Sequence, residues 1–152
     1  MNKFWLNLTK QVFILICGET KNPANPILNE NGEYQMELVR LSGVLPANPS
    51  LVIGGGKARH LMSAKLAGLV INISSPQIAL GGADSTDKHT ILSLPDQAVI
   101  VADEQLIINL ERKFHEKIKE GGRPVNGSVV ELKIFSLGGL FLVNFKLLFQ
   151  AA

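Results

Sequence analysis

The sequence has a single cysteine, one tryptophan, one tyrosine and three histidines in 152 residues. One cysteine closes no internal disulfide, so the composition fits a reducing compartment and a cytoplasmic location is expected. Three scattered histidines and a cysteine at no ligand spacing carry no metal signature, and neither metal nor cofactor is expected. Charge of one sign is also scarce. The formal net charge is +2, and Lys113, Lys117 and Lys119 are answered by Glu111, Glu116 and Glu120. A nucleic-acid surface gathers its cations on one face, so nucleic acid is not an expected partner. No window reaches the ~18 uninterrupted apolar residues of a spanning helix. The greasiest stretch, LGGLFLVNFKLLF, holds two glycines, Asn144 and Lys146. Between Lys10 and Cys17 the apolar run is too short for a signal core, and Ile14 and Ile16 are too large for a cleavage site. The N-terminus reads as mature chain, and no membrane partner is expected.

A composition of 46% hydrophobic against 18% charged residues suits one globular domain over 1–152, burying roughly two-thirds of its unfolded surface. The runs VFILI (12–16), LVI (51–53), LVINI (69–73) and AVIV (98–101) are Val- and Ile-rich and lack an alternating polar face. Strands buried on both sides look like this, and they are mostly parallel. Between them, Tyr34, Leu38, Leu41 and Leu45 recur at the spacing of a helix face, and KARHLMSAKLAG reads as a second helix closed by Gly68. A third helix begins at Asp103 as cap, buries Leu106, Ile107, Leu110, Phe114 and Ile118, and stops at Gly121-Gly122. Near the end, Val130, Leu132 and Ile134 alternate with Glu131 and Lys133, and Phe141, Val143, Phe145 and Leu147 alternate with Asn144 and Lys146. Period two around SLGG predicts an antiparallel hairpin. Residues 74–95 form a long polar excursion with the marks of a functional or lid-like loop. The fold class is α/β: a three-layer α/β/α sandwich with a mostly parallel mixed sheet and a C-terminal antiparallel hairpin.

In such sheets ligands sit beyond the carboxyl ends of the parallel strands, where loops lead into helix N-termini that attract anions. That points to CGETKN, GGGKAR, the 74–95 excursion and ADEQ. GGGKAR carries the strongest local signal: three glycines allow close backbone approach, and Lys57 and Arg59 stand in the first helical turn as anion-binding candidates. It has neither the Walker nor the GxGxxG spacing.

CGET, LNENGEYQ, GGGKARHLMSAKLAG, AVIVADEQLI and NGSVVEL, in that order and spacing, resemble the histidine phosphatase superfamily and its phosphoglycerate-mutase-like fold over roughly Val12 to Phe145. The resemblance implies a phosphate pocket built from an Arg-His-Gly at the first strand's end, a second arginine on the second helix, a second histidine after the fourth strand and a glutamate in the excursion. The matching positions are Ile16, Cys17 and Gly18, then Arg59, then Asp103, or Ala102 if the register slips by one. Residues 74–95 contain no glutamate. Glu19 and Thr20 match the residues after the nucleophile, and Thr20 could still donate to an oxyanion.

The resemblance thus implies a catalytically degenerate member: Cys17 and Asp103 occupy the family's catalytic positions, substituted, and Arg59, Gly18, Thr20 and Lys57 are the ligand-binding candidates. Such a protein would bind an anionic ligand such as phosphate, or a protein partner. The alternative is an altered hydrolase using Cys17 or Asp103 beside Arg59. Cys17 equally fits a small apolar residue finishing a buried strand. Arg59 and Asp103 either hold an anion weakly or neutralise each other. His60, about 100° round the helix from Arg59, is expected on the helix surface or in packing rather than in the pocket. His89 is expected in a solvated loop and His115 on a solvated helix face. The apolar hairpin, placed at a sheet edge, invites pairing with a second copy of the chain.

Overall fold

The computed structural model of the chain describes residues 7–22, 25–75, 88–118, 125–137 and 140–151. Strand β1 (Asn7–Ile16) leads through a short β2 (Thr20–Asn22) and β3 (Asn25–Leu28) into helix α1 (Glu30–Ser42). Then follow β4 (Leu51–Gly54), α2 (Ala58–Leu66), β5 (Ile73–Ser74), α3 (Lys88–Leu92), β6 (Ala98–Ala102), α4 (Glu104–Phe114), β7 (Ser128–Leu137) and β8 (Leu140–Gln150). The main sheet has the order β5-β4-β6-β1-β7-β8; β2 and β3 form a separate two-stranded ribbon. β5, β4, β6 and β1 are parallel, and β7 and β8 are the antiparallel additions.

The absence of polar alternation in the central strands has its cause in two cores. Val12, Ile14 and Ile16 of β1, with Ala98, Ile100 and Ala102 of β6, pack against Ile91 of α3 and Leu106, Ile107 and Leu110 of α4. The intervening Phe13, Leu15, Val99 and Val101 face the other way, onto Met36 and Val39 of α1 and Ala64 of α2. Successive strand residues point to opposite faces, so a sheet covered by helices on both sides needs apolar residues throughout. The hairpin alternates instead: Leu132 pairs with Phe145 and Ile134 with Val143, all buried on one face.

Several elements differ from expectation. Tyr34 and Leu41 are exposed (56% and 69%), and α1 buries Gln35, Met36 and Val39. The rotation of α1 is set by polar contacts that the apolar spacing does not register: the Gln35 side chain accepts the Glu19 amide at 3.0 Å, and Gly32 lies against Gly18. Gly43, in the left-handed region at φ 71°, ends the helix before Leu45. Of LVINI only Ile73 is in β5, because Gly68 (φ 84°) and a bond from the Leu69 amide to the Ala64 carbonyl still complete the end of α2. Pairing with β4 starts at Asn72, which brackets Val52 with its backbone amide and its side-chain oxygen. Helix α4 stops at Phe114, where His115 adopts a left-handed cap (φ 53°) and is exposed; Ile118 packs on the core from outside the helix. Gly121-Gly122 and residues 76–87 of the excursion lie outside the described residues, and His89 falls in α3. Among the described residues no helix is long and apolar enough to cross a membrane.

Candidate functional site

Because β1 and β6 are parallel neighbours in register, with Ile16 opposite Ala102, the first residues past their ends stand side by side. The Cys17 amide bonds to the Ala102 carbonyl at 2.9 Å and carries the ladder one residue further, which sets Cys17 beside Asp103. Past the end of β4, the glycine turn Gly54–Gly56 delivers the first turn of α2, with Arg59 and His60, over the same spot.

Three side chains converge on the carboxylate of Asp103. Arg59 grips Asp103 with two donors, Nε to Oδ1 at 2.9 Å and a terminal nitrogen to Oδ2 at 2.6 Å. His60 Nε2 lies 3.0 Å from Oδ1, and the Cys17 thiol donates to Oδ1 at 3.3 Å. Asp103 holds the N-cap position of α4, as expected, but gives it no side-chain capping bond, because its carboxylate is turned inward to these donors. Burial alone would raise the Asp103 carboxyl; the bonds from Arg59, His60 and Cys17 outweigh it and hold the group far below the usual carboxylate range. The bond to Asp103 in turn raises Arg59. The Cys17 thiol is pushed well above its ordinary range, first by burial and then by the adjacent carboxylate, which Arg59 offsets only in part. A thiol so placed is protonated and unreactive at neutral pH. Alkylating reagent should therefore leave Cys17 unmodified in the folded protein and label it fully after denaturation, as mass spectrometry would record. Labelling of the native protein at the rate of a free thiol would contradict this account.

His60 was not expected here. It is fully buried, and its Nδ1 has no hydrogen-bond partner among the described residues. Neighbouring helix positions do diverge by about 100°, but Arg59 is long enough to reach around the first turn, so both residues end on the same carboxylate. The only sequence signal was a histidine within the first turn of a helix that starts beyond a parallel strand. The remaining candidates are spent elsewhere. The Gly18 amide donates to buried Ser63 Oγ at 3.0 Å, tying the β1 exit to α2. Lys57 is exposed at the N-cap position of α2, and Thr20 lies in β2, where its carbonyl accepts the Asn29 side chain. Among the described residues, neither side chain bonds to the cluster. The loop itself is held firmly. Asn126 donates to the Cys17 carbonyl at 3.0 Å, and the Glu19 carboxylate accepts Asn29 and Asn31, which lower its pKa.

No family model and no curated protein matches the sequence. Solved structures do. The Mycobacterium tuberculosis protein of open reading frame Rv3214 is 18% identical, with a TM-score of 0.63 over 89% of this chain and 95% of that one. A protein from Agrobacterium tumefaciens assigned as the phosphohistidine phosphatase SixA is 15% identical, with a TM-score of 0.62 over 88% of this chain and 97% of that one. TTHB049 from Thermus thermophilus is 17% identical, with a TM-score of 0.59 over 80% of this chain and 92% of that one. The chain has the phosphoglycerate-mutase-like fold of these structures. Within that fold the Cys17, Arg59, His60 and Asp103 cluster occupies the mouth at the carboxyl ends of the parallel strands, where open α/β sheets bind ligands.

Proposed function

We propose that this chain is a histidine-phosphatase-fold protein that has given up phosphoryl transfer and acts by binding, with a protein partner favoured over a phosphate ester. The observation that carries this reading is the two-donor grip of Arg59 on Asp103. By the resemblance, Cys17 stands where the family has its nucleophilic histidine, Asp103 where it has the second histidine, and Ile16 where it has a phosphate-binding arginine. Arg59 alone is kept, and its guanidinium is already matched to a carboxylate in the planar geometry it would otherwise offer to a phosphoryl group. An entering phosphate would also meet Asp103. Two like charges ~4 Å apart repel by about 4 kcal/mol at an effective dielectric near 20, enough to cancel the gain from one charge-assisted contact.

With a generic phosphomonoester the protein should show no turnover across acid and neutral pH. Turnover above ~1 per second, abolished in Arg59→Ala, would sink the proposal. Phosphate titration followed by backbone amide shifts gives a second test. The wild type should not respond at about 1 mM, while Asp103→Asn, which releases the guanidinium, should bind with a dissociation constant near that value. The alternative of a hydrolase with Cys17 as nucleophile has less support, because the buried thiol has its proton committed to Asp103.

A further inference from the structure

We propose that Cys17, His60 and Asp103 form a site for a thiophilic divalent cation of the zinc class, with Sγ, Nε2 and Oδ1 as its three protein ligands. These three atoms lie within 4.8 Å of one another, on a sulfur, a nitrogen and an oxygen donor. Two of the edges are 3.0 Å from Nε2 to Oδ1 and 3.3 Å from Sγ to Oδ1. A tetrahedral zinc with bonds of about 2.3 Å to sulfur and about 2.0 Å to nitrogen and oxygen needs these two edges a few tenths of an ångström longer, and the Sγ to Nε2 edge, which is within 4.8 Å here, at about 3.5 Å. The donors are delivered by three separate rigid elements: the end of β1, the first turn of α2 and the end of β6. The first two are fixed from behind. Asn126 holds the Cys17 carbonyl, Ser63 holds Gly18, and His60 is locked at zero exposure in the helix. Sites on such supports keep their geometry without the ion.

The exchange of atoms is simple. The cation takes the place of the hydrogen bonds on Oδ1: the Cys17 thiol releases its proton to solvent, and the imidazole proton moves by exchange with solvent from Nε2 to Nδ1, which frees Nε2 to coordinate. Thiolate and carboxylate together balance the dication, and Arg59 keeps Oδ2. Asp103 and Arg59 are each about one-fifth exposed (23% and 21%), so an ion has a path in and a solvent molecule can complete the tetrahedron. The donor set excludes magnesium and calcium, which take oxygen ligands. The inference rests on the reading that the cleft has left phosphoryl transfer, and its test measures no hydrolysis, so the two can fail separately.

Cobalt(II) is the probe, added to chelator-treated full-length protein. Because Cys17 is the only cysteine in the chain, a thiolate-to-cobalt charge-transfer band can arise at this site alone. We expect the band in the wild type, its displacement by zinc, and a zinc-dependent rise in the thermal midpoint. Cys17→Ser should lose the band entirely while keeping a native circular dichroism spectrum. His60→Gln and Asp103→Asn should weaken binding by at least about tenfold, a loss that even outer-shell partners can produce. Arg59→Ala should bind at least as well as the wild type, since the guanidinium competes for Asp103. Absence of the band with folded wild-type protein at excess cobalt overturns the proposal, as does a zinc-induced midpoint rise that persists in Cys17→Ser. Should Asp103→Asn fail to fold, the cysteine and histidine variants carry the test.

Discussion

Gly32→Ala should cost about 3 kcal/mol or more and lower the thermal midpoint by roughly 6–12 °C, at about 2–4 °C per kcal/mol for a chain of this size. Gly32 is in the first turn of α1, where helix propensity alone favours alanine by about 1 kcal/mol. The two considerations predict opposite signs, and packing wins. A methyl group at position 32 would drive into the backbone of Glu19, and one on Gly18 would come within 2.6 Å of the Gly32 carbonyl oxygen. Neither neighbour is a flexible side-chain end that can swing away. The same Glu19 carbonyl accepts the Asn29 amide, so relieving the clash would break the start of α1 and shift the residue that follows Gly18. Gly43→Ala is the control. Its left-handed φ costs an L-residue about 1–2 kcal/mol, but nothing lies within 4 Å of the added carbon. Thermal melts of the two variants rank the effects. Equal losses, or a gain at Gly32, would mean that the close approach of the two glycines is not what fixes α1.

Asp103→Ala should be the other severe change, at about 2–3 kcal/mol, because it strands three donors at once: Arg59, His60 and Cys17. The figure lies below that of a fully buried pair because the carboxylate keeps some solvent contact. The loss should also carry a pH signature. The native Asp103 carboxyl is held below its unfolded value, so its stabilisation is complete above the unfolded value near pH 4 and fades as pH falls through the depressed native one. Denaturant unfolding of wild type and variant should therefore show a full gap at neutral pH that narrows only in strong acid. The double variant Arg59→Ala/Asp103→Ala should lose less than the sum of the single losses, since the second substitution removes a group the first had orphaned. A gap that is constant down to the acid limit would mean the carboxylate is not stabilised by its partners.

The extent to which these features were legible in the sequence follows from the range of the forces involved. β1, β4 and β6 announced themselves because a strand covered on both faces must be apolar at every position, a constraint that each run shows by itself. The hairpin was legible for the complementary reason, since Leu132, Ile134, Val143 and Phe145 are buried on one face while Asn144 and Lys146 are exposed on the other. The rotation of α1 was hidden because it depends on Gln35 meeting the Glu19 amide and on Gly32 meeting Gly18, contacts between segments that no local period encodes. The end of α4 at His115 was missed in favour of the Gly121-Gly122 pair, since a non-glycine residue in the left-handed region leaves no compositional mark. At the cleft, the resemblance brought Cys17, Arg59 and Asp103 together, and strand register puts two of them side by side. His60 is hidden because neighbours on a helix diverge by about 100°, and only the reach of Arg59 brings both side chains to one carboxylate. The metal-ligand signature was invisible for the same kind of reason: Cys17, His60 and Asp103 have no motif spacing, and only the parallel pairing of β1 with β6, under the start of α2, makes them neighbours.

The strand order also dictates when this chain can fold during its own synthesis. Val12 of β1 has Ala98 on one side and Leu132 on the other. β4 reaches the centre of the sheet only through β6, which lies between it and β1. A nascent chain that has left the ribosome only as far as α3 therefore holds an apolar strand with no partner on either side. Its helices have only the short β4–β5 pair on which to rest. Closure of the sheet waits until β6 and β7 emerge, and loops of that length close slowly. During that interval VFILI is the segment most exposed to wrong pairings.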